Sequence, residues 1–238
     1  MNDDDDVRPA PASQTLSRGV RILEILADTR TPMTIDELAG HLDVHRSIAY
    51  RLLRTLEDHR LVVRDAAGRA ELGPRMAALA AGVASDLHAE ALPELTQTAN
   101  DLGMTSFVAV LDGQECITLA SVEPRHAVAL VAQHPGTRHP VTVGAPGKAI
   151  LSQLPPDRWP VDAAEALRTE VADASARGFA RSHDEVIPGL HAVAVPLALR
   201  GRAPAAIAAV YLASAHTPEQ IAARLHTTAE AIRAALGL

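Results

Sequence analysis

From Thr15 onward apolar residues recur at helical spacing, and Leu16, Val20, Leu23 and Ala27 make one face. The run 28–32, Asp-Thr-Arg-Thr-Pro, ends that helix. Thr34-Ile35-Asp36-Glu37 has the form of a capping box, with Thr34 as N-cap and Glu37 reaching back to it. The helix it opens buries Leu38, Ala39 and Leu42. A turn of two or three residues leads to another helix with Ile48, Leu52, Leu53 and Leu56 on one side. Two short helices joined so tightly, with a third packed before them, predict a helix-turn-helix. Residues 61–64 and 69–72 are β-prone stretches around a turn with Gly68, which predicts a hairpin wing.

Gly73-Pro74 punctuates the chain, and the pattern predicts a further helix striped by Met76, Leu79, Ala80, Val83 and Leu87. That stripe suits packing on another copy of the chain. A separate helix is expected over residues 91–102, ending at Gly103. Beyond it the period changes to two, with β-like runs at 105–111, 116–122, 127–132, 191–197 and 205–212. Helices are expected at 146–154, 163–177 and 218–236. Hairpin-joined strands with helices between pairs predict an α+β unit around an antiparallel sheet. The expected organisation is an acidic, disordered tail (1–12), a winged helix-turn-helix (13–73), a linker and dimerisation helix (74–89) and a ligand-binding domain (90–238).

Composition narrows the function classes. In 238 residues, 47% are hydrophobic, enough for cores in two domains. The longest apolar runs, 76–84 and 205–213, fall well below the roughly 20 residues that span a bilayer. The acidic N-terminus is unlike a secretory signal, and the single cysteine, Cys116, allows no intrachain disulfide. A cytoplasmic protein without membrane attachment is expected. Net charge is −7, but residues 44–64 carry five arginines against Glu57 and Asp58. DNA binding is therefore expected of the first unit alone.

Within that basic element Arg46, Tyr50 and Arg54 share a face, with His45, Ser47 and Arg51 beside them. Such a face enters a major groove, where arginine forks onto guanine and hydroxyls hold phosphates. Arg69 is expected to touch the DNA backbone from the wing. Gly144-Ala145-Pro146-Gly147-Lys148-Ala149 is no Walker loop, because Thr142 stands where a glycine is needed and Ala149 where Ser or Thr is. It remains a glycine-marked loop feeding a helix N-terminus, where free N–H groups attract an anion. Of the eleven histidines, His183-Asp184-Glu185 is the best metal candidate, yet neither a metal nor a cofactor is expected. No Gly-x-Ser-x-Gly occurs, and Cys116 lies in a strand-like run, so catalysis has little support.

The stretches 17–26 (SRGVRILEIL), 34–54 (TIDELAGHLDVHRSIAYRLLR), 61–75, 147–151 (GKAIL) and 177–189 (RGFARSHDEVIPG) resemble, in order and spacing, the IclR family of bacterial transcriptional regulators. The resemblance implies a winged helix-turn-helix, a linker helix and a GAF-like effector domain, with dimers or dimers of dimers on operator DNA. Family members that sense small oxo-acids surround them with an acidic residue, a cysteine and two serines. Alignment puts those positions at Ser182, Ala192, Ala209 and Tyr211, the apolar side at Val128 and Val131, and the helix start at Ala145 and Pro146. The polar groups are mostly replaced, so the expected effector is a carboxylate or amide-like compound with a bulky apolar, possibly aromatic, part. A small-molecule enzyme with a winged-helix appendage and a protein-gripping module are the rival readings.

Overall fold

The computed structural model describes residues 13–82, 85–126, 131 and 133–238. Two compact units divide the chain, residues 1–83 and 84–238.

In the first unit, α1 (Gln14–Thr29) starts at Ser13, whose hydroxyl accepts the Leu16 N–H, and stops where Arg30 turns left-handed. Thr34 and Glu37 form the reciprocal box that opens α2 (Ile35–His41). The Thr34 N–H donates to the Glu37 carboxylate at 2.7 Å and holds its pKa below the ordinary value. After a turn with Asp43 at φ 49°, α3 (Arg46–Asp58) follows. The strands β1 (Val62–Arg64) and β2 (Ala70–Leu72) close an antiparallel hairpin. Ile22, Ile25, Leu26, Leu38, Leu53 and Val62 make the core between them. Replacing Thr34 by alanine is expected to remove about 1 kcal/mol from this unit's stability, read by urea unfolding in far-UV circular dichroism.

A single helix over residues 74–89 does not form. The first piece, α4 (Arg75–Ala80), spans six residues, and the chain leaves it through Ala81 and Gly82, a poor helix former. The next helix, α5 (Ser85–Leu102), starts well before residue 91 and carries Pro93 inside it. Leu87 is buried in the core of the second unit, so it belongs to no exposed stripe. Met76 is half-buried and Leu79 exposed, while Val83 lies outside the described residues.

The second unit is built on β3 (Thr105–Asp112), β4 (Glu115–Val122), β5 (Arg138–Pro140), β6 (Ala180–His183), β7 (His191–Leu197) and β8 (Ala205–Tyr211). These form one antiparallel sheet in the order β5-β4-β3-β8-β7-β6. α5 and α8 (Pro218–Ala235) cover one face, while α6 (Gly144–Leu151) and α7 (Glu165–Arg177) cover the other. The period-two pattern decides which residue meets which layer. Along β8, Ala205, Ile207 and Ala209 face α5 and α8, whereas Ala206, Ala208 and Val210 face α6. The strands β5 and β6 were not expected; β6 lies between the helix expected to 177 and the strand expected from 191. The expected run at 127–132 falls largely outside the described residues, and Val131 within it is not in a strand. Among the described residues no helix is long and apolar enough to cross a membrane.

Candidate functional site

The hydrophobic period of α3 sorts its side chains into two faces. Ala49, Leu52, Leu53 and Leu56 are buried inward, and Arg46, Ser47, Tyr50, Arg51 and Arg54 are exposed outward. His45 caps the helix: its Nδ1 accepts the Ser47 N–H and lies 2.9 Å from the Ser47 hydroxyl. Arg46 pairs with Asp36 of α2. Among the described residues Arg51 and Arg54 enter no ion pair, so two cations and the Tyr50 hydroxyl face solvent unengaged. At the hairpin tip Asp65 accepts the backbone N–H groups of Ala67 and Arg69, and the Arg69 guanidinium lies on it at 2.8 Å. The Arg69 N–H, together with that guanidinium, holds the Asp65 carboxyl below its usual range. The wing turn is thus tied by an aspartate while presenting its arginine outward.

The second unit holds an apolar cavity of about 70 Å³ beside the start of α6. Phe107, Pro146, Val186, Ile187, Leu190, Ala192 and Val210 give its apolar wall, and Gln133, Thr137, His139, Ser182 and Glu185 its polar groups. Three of the residues singled out from sequence, Pro146, Ser182 and Ala192, meet here. Ala145 is fully buried behind them and donates its N–H to the Ser182 hydroxyl at 3.0 Å. Val131 packs against the same core without lining the cavity, its carbonyl accepting the Thr105 hydroxyl. Val128 lies outside the described residues.

Tyr211 does not line this cavity but lines the adjoining cleft of about 450 Å³, together with Ser182, His191 and Ala192. Ala209 is corrected: it points to the α5 and α8 face, across the sheet from Pro146 and Ser182. Ala209 is fully buried there. Tyr211 stacks on His191 at 5.4 Å between centroids, and His191 on His183 at 3.9 Å, a row of direct cross-strand partners. Partial burial raises the Tyr211 phenol above its ordinary pKa. The cavity residue on β8 is Val210, between the two; period two names it once the register is right.

The α6 N-terminus is also not vacant, as had been expected. Gly144 donates its N–H to Glu185 Oε2 at 2.8 Å, Ala145 to Ser182, and Pro146 has no N–H. Lys148, only 4% exposed, holds Glu185 Oε1 at 2.6 Å and also pairs with Glu170. Glu185 therefore points away from His183 and Asp184, so the expected metal candidate does not converge. Among the described residues no three His, Cys, Asp or Glu side chains are grouped as ligands. Cys116 is buried, and desolvation pushes its thiol up to about 12, far from a reactive thiolate.

Residues 15–66 match the family model of the IclR helix-turn-helix domain. The probable transcriptional regulator SauR of Cupriavidus necator is 32% identical over 80% of this chain and 83% of its own. An IclR transcriptional regulator from Alicyclobacillus acidocaldarius superposes with a TM-score of 0.83 at 26% identity, over 94% of this chain and 99% of its own. An IclR homologue from Microbacterium hydrocarbonoxydans, solved in complex with 4-hydroxybenzoate, gives 0.80 at 26% identity, again over 94% and 99%. A basic, tyrosine-bearing outer face on α3, a hairpin after it and a separate α+β unit thus accompany the sequence match, and the chain belongs to the IclR family of transcriptional regulators.

Proposed function

We propose that this regulator binds operator DNA as a homodimer or a dimer of dimers, and that a small organic acid in the second unit controls that binding. Residues 13–73 read the DNA. Arg46, Tyr50 and Arg54 meet base edges, while His45, Ser47, Arg51 and Arg69 hold phosphates. The observation that carries this reading is the exposed Arg51 and Arg54, without an ion pair among the described residues, on a helix whose opposite face is core. The relatives named above are regulators, and the enzyme alternative is dropped. The regulator works in the cytoplasm, where its operator lies.

The effector enters the cavity between β7, β8 and the start of α6. Pro146, Ser182 and Ala192 contact it, with Val210 in place of Ala209, and Tyr211 stands in the adjoining cleft beside Ser182 and Ala192. Support for an aromatic acid comes from the apolar wall with Phe107 and Val210, and from the related protein seen with 4-hydroxybenzoate. Acid binding changes the population of dimer geometries, and so the fit of two recognition helices to half-sites about one helical turn apart. The test is binding to a palindromic operator selected from random duplexes, measured over a salt series with and without 4-hydroxybenzoate. Affinity is expected to fall steeply with salt, as released counterions require, and to change with the acid. Affinity insensitive to both would overturn the reading.

Dimerisation draws on exposed apolar residues of the first unit, Leu16, Val20 and Leu79, which are 67%, 46% and 57% exposed. Changing Leu16 and Leu79 together to glutamate is expected to shift the protein to monomer in sedimentation equilibrium. An intact dimer would assign self-association to another surface.

A further inference from the structure

The cavity beside α6 has a neighbour. A cleft of about 450 Å³ runs along β6, lined among others by Lys148, Arg177 and Arg181. The two share Ser182, Glu185, His191 and Ala192 as a common wall. Glu185 stands in that wall with both carboxylate oxygens engaged: Oε1 on Lys148 at 2.6 Å, Oε2 on the Gly144 N–H at 2.8 Å. At about 70 Å³ the inner cavity is well below the roughly 300 Å³ at which small-molecule sites begin. Swinging the Glu185 side chain out of the wall joins the cavity to the cleft and bares Lys148.

We propose that Glu185 is a resident stand-in for the effector's carboxylate, and that an organic anion enters by exchanging with it on Lys148 and the Gly144 N–H. This rests on the effector reading above and adds how the site is regulated. Charge favours exchange over addition. Lys148 is the chain's only lysine and already carries two carboxylates, Glu170 and Glu185. A third on one buried ammonium would meet like charge on both sides. Exchange keeps the count at two. It also fits the geometry, because the α6 donors are all used or missing and only a displaced Glu185 frees one. The segment that moves, residues 184–190, is closed by its own short bonds: the Gly189 N–H to Asp184 Oδ1 at 2.5 Å and the Leu190 N–H to the Ile187 carbonyl. Val186 and Ile187, which line the cavity yet are 47% and 48% exposed, travel with it. The ligand thereby converts carboxylate recognition into a change of this loop.

Calorimetry on the full-length protein with benzoate and with benzamide tests the exchange. Glu185→Gln keeps the length and an acceptor for Gly144 but loses the ionic hold on Lys148. It is expected to bind benzoate about tenfold more tightly than wild type, while benzamide affinity moves less than twofold. Equal benzoate affinity in the two proteins overturns the exchange and leaves the pocket standing. No binding of either compound to either protein overturns the exchange and removes the pocket reading for aromatic acids with it. A second measurement needs no variant. Saturating benzoate is expected to speed amide hydrogen exchange across 184–190 in the wild type, and slowed exchange there overturns the proposal.

Discussion

Gly147→Ala is expected to destabilise the second unit by about 3 kcal/mol, the upper end of what overpacking costs. A methyl group built on Gly147 would lie 2.1 Å from the Val141 carbonyl oxygen and 2.8 Å from its carbon. Both atoms are backbone, and the Val141 N–H is itself fixed to the Gln114 carbonyl at 2.9 Å, so the neighbour has nowhere to yield. The helix must lift instead. All eight residues of α6 are buried, and the sheet beneath is floored by Ala109, Ala194, Ala206 and Ala208. Lifting it opens voids over that floor and pulls Gly144 and Ala145 from Glu185 and Ser182. Trp159, the chain's only tryptophan, lies in this unit with its indole N–H on the Leu154 carbonyl, so its fluorescence in urea follows this unit alone. Gly40→Ala is the opposite case: it sits exposed in α2 of the first unit with nothing within 4 Å of an added Cβ and is expected to gain about 0.5–1 kcal/mol, read by far-UV circular dichroism because Trp159 does not report on that unit. A Gly147→Ala midpoint equal to that of wild type would show that α6 does not rest on Val141.

Local chemistry was the legible part of this chain. The capping box at Thr34 and Glu37 and the two faces of α3 are written in spacings of three and four, which local backbone geometry enforces. What failed depended on register or on distant partners. The alignment put a pocket position at Ala209 where the cavity has Val210, and in a strand a difference of one residue exchanges the faces. Nothing in a run of apolar residues such as 205–210 distinguishes its two sides, since both are buried. The helix expected over 74–89 failed because Leu87 keeps helical spacing with Met76, Leu79 and Val83 although it belongs to a different core. The occupied N-terminus of α6 was hidden for another reason. Glu185 lies 41 positions from Gly144, and only the fold brings them together. The sequence does contain a hint: a lone lysine inside a helix that is otherwise apolar requires a buried counter-charge.

Reversing two charges on α3 is expected to have the largest effect on function. The variant Arg51→Glu with Arg54→Glu should lose operator affinity by at least a thousandfold, about 4–6 kcal/mol, and its salt slope should fall by about 1 through the lost Arg51 phosphate contact. Each arginine alone is worth about 1–3 kcal/mol as a base or phosphate contact, and glutamate adds repulsion from the phosphates. Arg46 is different. It already holds Asp36, so binding DNA trades one anionic partner for another, and Arg46→Ala belongs at the low end of that range. Arg51 and Arg54 have no such partner to give up among the described residues. Folding should be spared, because Leu52, Leu53 and Leu56 anchor the helix from its other face and surface changes away from the core shift stability by about 0.5 kcal/mol or less. Fluorescence anisotropy on the selected operator, with far-UV circular dichroism on the same samples, separates lost contacts from lost structure. Operator affinity within tenfold of wild type in a folded double variant would remove α3 from the recognition role and turn attention to the wing.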